Sequence, residues 1–146
     1  GPASISYGLE GLYLEDAARA RLLTAADTAA LERLRAACSN EEWDHGGSEH
    51  AAAGALFGTF DGAELVAVAS YRIWGDAIAH ISIATAPARR GRGFGKAAVA
   101  LAARRALEAG LVPQYRTLRS NTASMAIGRH LCFIEYGFSV AVRLRW

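Results

Sequence analysis

Lysine is almost missing from this chain. Of its 16 basic residues only Lys96 is a lysine, and the rest are arginines. Cysteine is equally sparse. Cys38 and Cys132 are too few for a disulfide framework, and their spacing matches no metal motif, so no metal is expected and both read as buried thiols in a reducing cytoplasm. No apolar run nears the roughly 18 residues needed to span a bilayer, and the opening residues carry no signal-peptide pattern. The net charge of +2 is too mild for general nucleic-acid binding. These absences leave a cytoplasmic protein with no membrane or nucleic-acid partner. The 146 residues suit one domain, 1–146, large enough to bury a core. Residues 1–22 read either as its beginning or as the end of a preceding segment. The opening Gly1-Pro2, with no methionine, reads as a processed terminus, a cloning remnant or the start of a fragment.

Hydrophobic patterning gives the order of elements. Leu12 to Leu14 reads as a first strand or the tail of a preceding segment. Thr24-Ala25-Ala26-Asp27 has the form of a capping box with Asp in the acidic position, and Leu31, Leu34 and Cys38 then recur at helical spacing. A polar loop is expected from Ser39 to His50. Leu56 to Phe60, Glu64 to Trp74 and Ala77 to Thr85 read as strands joined by the turn dipeptides Asp61-Gly62 and Gly75-Asp76. An alanine-rich helix runs from Lys96 to Ala109, where Gly110 caps it and Pro113 forbids continuation. Gln114 to Arg119 reads as a strand, followed by a short helix ending at Leu131-Cys132-Phe133. In Phe138 to Leu144 the residues Phe138, Val140, Val142 and Leu144 alternate with Ser139, Ala141 and Arg143, the pattern of a closing strand. A meander feeding a βαβ unit makes an α+β layered sheet.

Between the third strand and the alanine-rich helix stands Arg89-Arg90-Gly91-Arg92-Gly93-Phe94-Gly95-Lys96. Glycines let backbone N–H groups approach a ligand closely. A helix N-terminus adds unpaired donors and partial positive charge, and arginines suit phosphate oxygens. The turn is built for an anion, and a phosphorylated small molecule is the expected guest. It is not a Walker loop. Three residues, not four, separate Gly91 from Gly95, and Ala97 stands where a magnesium-binding hydroxyl belongs. It is not a Rossmann fingerprint either, because the glycines run G-x-G-x-G and no acidic residue follows about 20 positions on.

Arg90, Gly93 and Gly95 do fill the pattern R-x-x-G-x-G, and further on Asn121, Ser124 and Phe133 stand in register with a second pattern: Asn, then a small residue, then a Gly-Phe pair. On these residues the chain resembles the GCN5-related N-acetyltransferases over roughly Phe57 to Leu144. The resemblance implies a mixed, mostly antiparallel sheet flanked by helices, in three α/β/α layers. It implies acetyl-CoA as cofactor. Arg89, Arg90, Gly91, Arg92, Gly93, Phe94, Gly95 and Lys96 would hold its pyrophosphate. The backbone of Ile83, Ala84 and Thr85 would pair with the pantetheine arm, and Asn121 with Ser124 would contact its far end. It further implies direct attack by a bound primary amine, a small-molecule or peptide acceptor, and possible homodimers. Two positions depart from the pattern. Gly128 stands where many relatives carry the tyrosine that protonates the departing thiolate, and Cys132 replaces the glycine of the Gly-Phe pair, altering a turn or burying a small thiol.

The chemistry then asks for a base, an oxyanion donor and an acid. The strand before the loop has no carboxylate, so His80 is its one titratable side chain, and Ser82 is placed to order a water. His80 also reads as a structural edge histidine. Tyr115 is the candidate to replace the absent tyrosine, with Tyr136 a weaker one of the same type; His130 is assigned no role. For the acceptor, Trp43, Asp44 and Glu49 in the polar loop offer an aromatic wall and carboxylates for a cationic amine, and Trp74 lies at a strand end near them. The competing reading is a non-catalytic acyl-CoA-binding regulatory domain of a larger protein, favoured by the missing tyrosine and the carboxylate-free strand.

Overall fold

The run Leu65-Val66-Ala67-Val68-Ala69-Ser70-Tyr71 has no polar alternation, the mark of a strand buried on both faces. It forms the middle of strand β4 (Glu64–Trp74). In a computed structural model describing residues 2–8, 11–46 and 48–140, β4 lies inside a seven-stranded sheet. The other strands are β1 (Ala3–Tyr7), β2 (Ala20–Leu22), β3 (Leu56–Asp61), β5 (Ile78–Thr85), β6 (Val112–Leu118) and β7 (Ile134–Ser139). Their order is β2-β3-β4-β5-β6-β1-β7. Only β5 and β6 are parallel, joined by a crossover helix; every other neighbouring pair is antiparallel.

Both faces of the sheet are covered. Ala67, Ala69, Tyr71, Ala79 and Ile81 face the crossover helix α3 (Phe94–Glu108), whose Ala98, Ala102, Ala103 and Ala106 are fully buried. With small alanines making most of the helix side of the contact, helix and sheet approach closely. Leu131 and Phe133, at the end of α4 (Thr122–His130), join the same core. On the opposite face Val66, Val68 and Ala84 pack against Leu34 of α1 (Thr28–Ala37) and Trp43 of α2 (Asn40–Gly46). The α/β/α layering is thus as expected. Among the described residues no helix is long and apolar enough to cross a membrane.

Local signals explain most boundaries. Thr24 and Asp27 form the reciprocal capping box, Asp27 accepting from the Thr24 N–H at 2.8 Å, ahead of α1. The Arg21 guanidinium and that N–H pull the Asp27 carboxyl down to about 2. Gly75 and Asp76 both take positive φ (59° and 56°), giving the left-handed turn that matches strand twist. Gly110 ends α3 at φ 76°.

Four expectations need correction. Leu12 to Leu14 is not a strand: Leu12 and Leu14 pack against the core from an irregular segment, and the first strand is Ala3–Tyr7. The supposed polar loop after Ser39 contains α2. Ser39 and Glu42 cap it reciprocally, each backbone N–H donating to the other's side chain at 3.1 Å, and buried Trp43 anchors it. The last strand is Ile134–Ser139, earlier than Phe138 to Leu144; Ala141, Val142, Arg143 and Leu144 lie outside the described residues. As the edge strand, β7 leaves Ile134, Tyr136 and Phe138 exposed. The cysteines also differ from expectation, Cys38 being half-buried and Cys132 exposed.

Cys132 follows α4 in the left-handed region, at φ 65°, where a side chain costs about 1–2 kcal/mol. Glycine removes that strain but loses more chain entropy on folding, by about 0.5–1 kcal/mol. Cys132→Gly is therefore expected to raise the midpoint of thermal unfolding slightly; a lower midpoint would show that the thiol makes a stabilising contact.

Candidate active site

Strands β5 and β6 begin as a regular parallel pair and then part. Ile78 to Ile81 pair with Val112 to Tyr115, and the pairing ends there. Each strand keeps its other neighbour: Ser82 to Thr85 remain paired with β4, and Arg116 to Leu118 with β1. Ala86 donates to the Val66 carbonyl at 2.8 Å. Antiparallel alternation then turns the N–H and C=O of Ser82 and Ala84 toward β4, and those of Ile83 and Thr85 toward the gap. The gap is a wedge of backbone donors and acceptors, suited to an extended amide-bearing chain.

The arginine- and glycine-rich turn stands at the open end of this wedge. Gly93, at φ 83°, takes the left-handed conformation as N-cap of α3 and leaves the first N–H groups of the helix uncapped by any side chain. A Cβ on Gly95 would lie 2.7 Å from Thr85 Oγ1, so only glycine lets the helix start this close to β5. Thr59 Oγ1 donates to the Phe94 carbonyl at 2.8 Å and ties the same turn to β3.

Wedge and turn open into one cleft of about 1180 Å³. It is lined by His80, Ser82, Ile83, Ala84 and Thr85 of β5, by most of the glycine-rich turn, by Tyr115 of β6, and by Asn121 and Ser124. Every predicted cofactor residue lines it except Arg92. The cationic side chains of the turn are engaged with carboxylates. Arg89 meets Asp61 at 3.0 Å and Glu64 at 3.2 Å, Arg90 meets Glu42 at 3.1 Å, Arg92 meets Asp61 at 4.0 Å, and Lys96 meets Asp16 at 3.1 Å. The Ser39 N–H and Arg90 hold the Glu42 carboxyl below its usual range. Asn121 is spent partly on structure, its Oδ1 accepting the Ser124 N–H at the start of α4.

The three catalytic candidates divide between the faces of the sheet. His80 and Ser82 alternate with the core-facing Ala79 and Ile81, so they lie on the α1–α2 side. His80 is 6% exposed; its Nδ1 is 2.8 Å from Gln114 Oε1, and Trp74 stacks on its ring at 4.2 Å. Burial holds the imidazole pKa below its usual value, Gln114 opposes that shift, and Arg72 and Arg116 add to it. Tyr115 lies on the α3–α4 side, stacked edge-on against Phe133. Its hydroxyl is sealed from solvent without a well-formed hydrogen bond. Burial pushes the phenol well above its ordinary pKa, and nearby Ser124 offsets this only slightly. The ring occupies the space beside Gly128: a Cβ there would stand 3.9 Å from Tyr115 Cδ1.

The residues expected to meet the acceptor fall differently. Trp43 is buried in the core beneath α2, and with Asp44 and Glu49 lines a separate cavity of about 120 Å³. Glu49 is paired with Arg35 at 3.0 Å. Of the predicted set only Trp74 reaches the main site, through His80. The α2 residues that do line the cleft are Glu41, Glu42 and His45, on the other side of the helix from Trp43. Gln114, Tyr7 and Arg116 were not legible as site residues. Had the Ser39–Glu42 box been read as a helix start, the helical period would have separated Glu41, Glu42 and His45 from Trp43.

The acetyltransferase (GNAT) family profile matches residues 14–130. The chain belongs to that family. No curated protein matches it significantly. Among solved structures it resembles a GNAT acetyltransferase from Colwellia psychrerythraea, with a TM-score of 0.75 and 19% identity over 92% of this chain and 53% of that one. A putative GNAT acetyltransferase from Novosphingobium aromaticivorans gives 0.72 and 19%, over 94% and 61%. An aminoglycoside N-acetyltransferase solved in complex with CoA gives 0.60 and 23%, over 87% and 99%. Identities this low establish the shared fold. The chain spans little more than half the length of the first two.

Replacing Glu42 by Gln keeps an acceptor for the Ser39 N–H and releases Arg90. An exposed pair of this kind is worth about 0–1 kcal/mol, so affinity for CoA is expected to rise by up to about fivefold at low salt. Calorimetric titration of both proteins checks this; equal affinities would mean that Arg90 does not reach the ligand.

Proposed function

We propose that the chain transfers an acetyl group from acetyl-CoA to a primary amine by direct attack, with no covalent enzyme intermediate. The observation that carries this reading is the wedge between β5 and β6 meeting the glycine-rich helix start in one cleft. The first offers main-chain partners to a pantetheine arm, the second an anion site for a pyrophosphate. Backbone N–H groups of Phe94, Gly95 and Lys96 bind the diphosphate, with Arg90 joining once it leaves Glu42. The CoA held by the structurally similar aminoglycoside N-acetyltransferase supports the same cofactor here.

The two faces divide the chemistry. A neutral amine on the His80 side attacks the thioester carbon, forming the C–N bond. An N–H donor at the wedge stabilises the oxyanion. As the C–S bond breaks, the surplus ammonium proton goes to His80, directly or through a water ordered by Ser82. Tyr115 lines the cleft from the other face, and its sealed hydroxyl reaches the departing sulfur once the bound thioester opens the wedge there. A free thiol has a pKa near 8.5, below that of an ordinary phenol. Tyr115, raised further by burial, therefore stabilises the thiolate as a hydrogen-bond donor and keeps its own proton. It places a donor beside position 128 without giving up the proton that the tyrosine of many relatives transfers from there.

Calorimetric titration with acetyl-CoA, followed by an amine panel read as thiol release, tests the reading. Binding near one per chain, lost in Gly93→Trp while the fold persists, is expected. Tyr115→Phe, which removes one donor to charge that develops in the transition state, should lower kcat by about 10²-fold with little change in KM. Binding without turnover on any amine would favour the regulatory acyl-CoA-binding alternative; no binding would overturn the cofactor site itself.

A further inference from the structure

Three polar side chains from three adjacent strands make one hydrogen-bonded chain on the α1–α2 face, buried at His80 and Gln114 and half-buried at Tyr7. His80 stands opposite Gln114 across the paired part of β5 and β6, and Gln114 stands opposite Tyr7 across β6 and β1. His80 Nδ1 lies 2.8 Å from Gln114 Oε1, and Gln114 Nε2 donates to the Tyr7 hydroxyl oxygen at 2.7 Å. Gln114 is 5% exposed. Trp74 covers the imidazole in parallel, with 9° between the planes.

We propose that Gln114 and Tyr7 are positioning residues that hold His80 as the neutral tautomer protonated on Nδ1, leaving the Nε2 lone pair for the acceptor amine. The inference rests on the acetyltransferase reading and deepens it. An amide oxygen can only accept, so the ring nitrogen facing Gln114 Oε1 must carry a proton. In this arrangement the other end of the amide donates to the Tyr7 hydroxyl, which accepts, so the amide bridges the two rings with its oxygen toward His80. Nε2 makes no hydrogen bond among the described residues, and it is not among the sealed polar atoms of a side chain that lines the cleft. It is the nitrogen left to take the proton.

The surrounding charges favour a neutral resting ring. Arg72 faces it from β4, and Arg116, which donates to Ser139 Oγ, from β6; both disfavour the imidazolium. Tyr7 and Gln114 are neutral, and Trp74 is apolar. From α2, Glu41 and His45 line the same cleft, 3.9 Å from one another, and Glu42 is paired with Arg90. No carboxylate hydrogen-bonds the ring among the described residues. In turnover Nε2 gains one proton from the attacking ammonium, and the imidazolium returns it to water after the amide leaves.

Nitrogen-15 spectra of the His80 ring, assigned against His80→Gln, test this without requiring turnover. In the wild type a protonated Nδ1 and bare Nε2 are expected, titrating below about 6.5. Gln114→Glu places a carboxylate beside the imidazolium. It should raise the His80 pKa by about one to three units and move the acid limb of kcat/KM to higher pH by the same amount. Tyr7→Phe frees the amide to turn, so mixed tautomers and a fall in kcat larger than any change in KM are expected. A wild-type ring protonated on Nε2, or a His80 pKa unmoved in Gln114→Glu, would overturn the proposal. Absent turnover on every amine would overturn the acetyltransferase reading instead, and the spectra register separately from it.

Discussion

The structure depends on the parting of β5 from β6 after four paired residues. Backbone N–H and C=O groups inside a sheet are ordinarily matched by a neighbour, and leaving them unmatched is costly unless water or a ligand takes them. Here β4 and β1 hold the outer edges of the two strands, so neither can shift to close the gap. The crossover through α3 holds it open from below. Its alanine face approaches β4 and β5 closely, and at Gly95 the helix comes so near Thr85 that no side chain fits between. The same contact that seats the helix aims its N-terminus at the wedge.

A gap through a sheet has two sides, and they differ here. The α1–α2 side near His80 is polar, with two arginines, and open where the helices end. The α3–α4 side around Tyr115 is sealed and aromatic. The two sides thus present an imidazole on one face and a buried phenol on the other. In sequence His80 and Tyr115 belong to different strands and share no motif. Strand pairing sets them one register position apart, and side-chain alternation sends them to opposite faces of the same gap.

The glycine-rich turn also meets opposite demands. Its cations suit phosphate, yet each is matched with a carboxylate from the β3–β4 hairpin, α2 or the 3-10 turn at Glu15–Arg19. These exposed pairs add little stability. They hold long side chains near the cleft, and any anion must compete with the carboxylates. Arg90 and Glu42 join the turn to α2, which lines the same cleft.

By itself the sequence determined the layered sheet, the meander of β3, β4 and β5, the crossover helix with its glycine cap, and the anion turn. Each is written in local residues: the apolar run of β4, Gly75-Asp76, Gly110, and Arg90 with Gly93 and Gly95. It did not disclose α2, because one tryptophan in a seven-residue, otherwise polar or glycine helix gives no period, although Ser39 and Glu42 carry the capping signal. Nor did it disclose β1, a five-residue strand whose pairing lies more than a hundred residues away. Only tertiary structure decided that Trp43 is core and Glu41 faces the cleft, since one helix presents both. Only tertiary structure brought Tyr7 to Gln114 and Gln114 to His80, because strand order across a sheet is fixed by long-range pairing and not by local pattern.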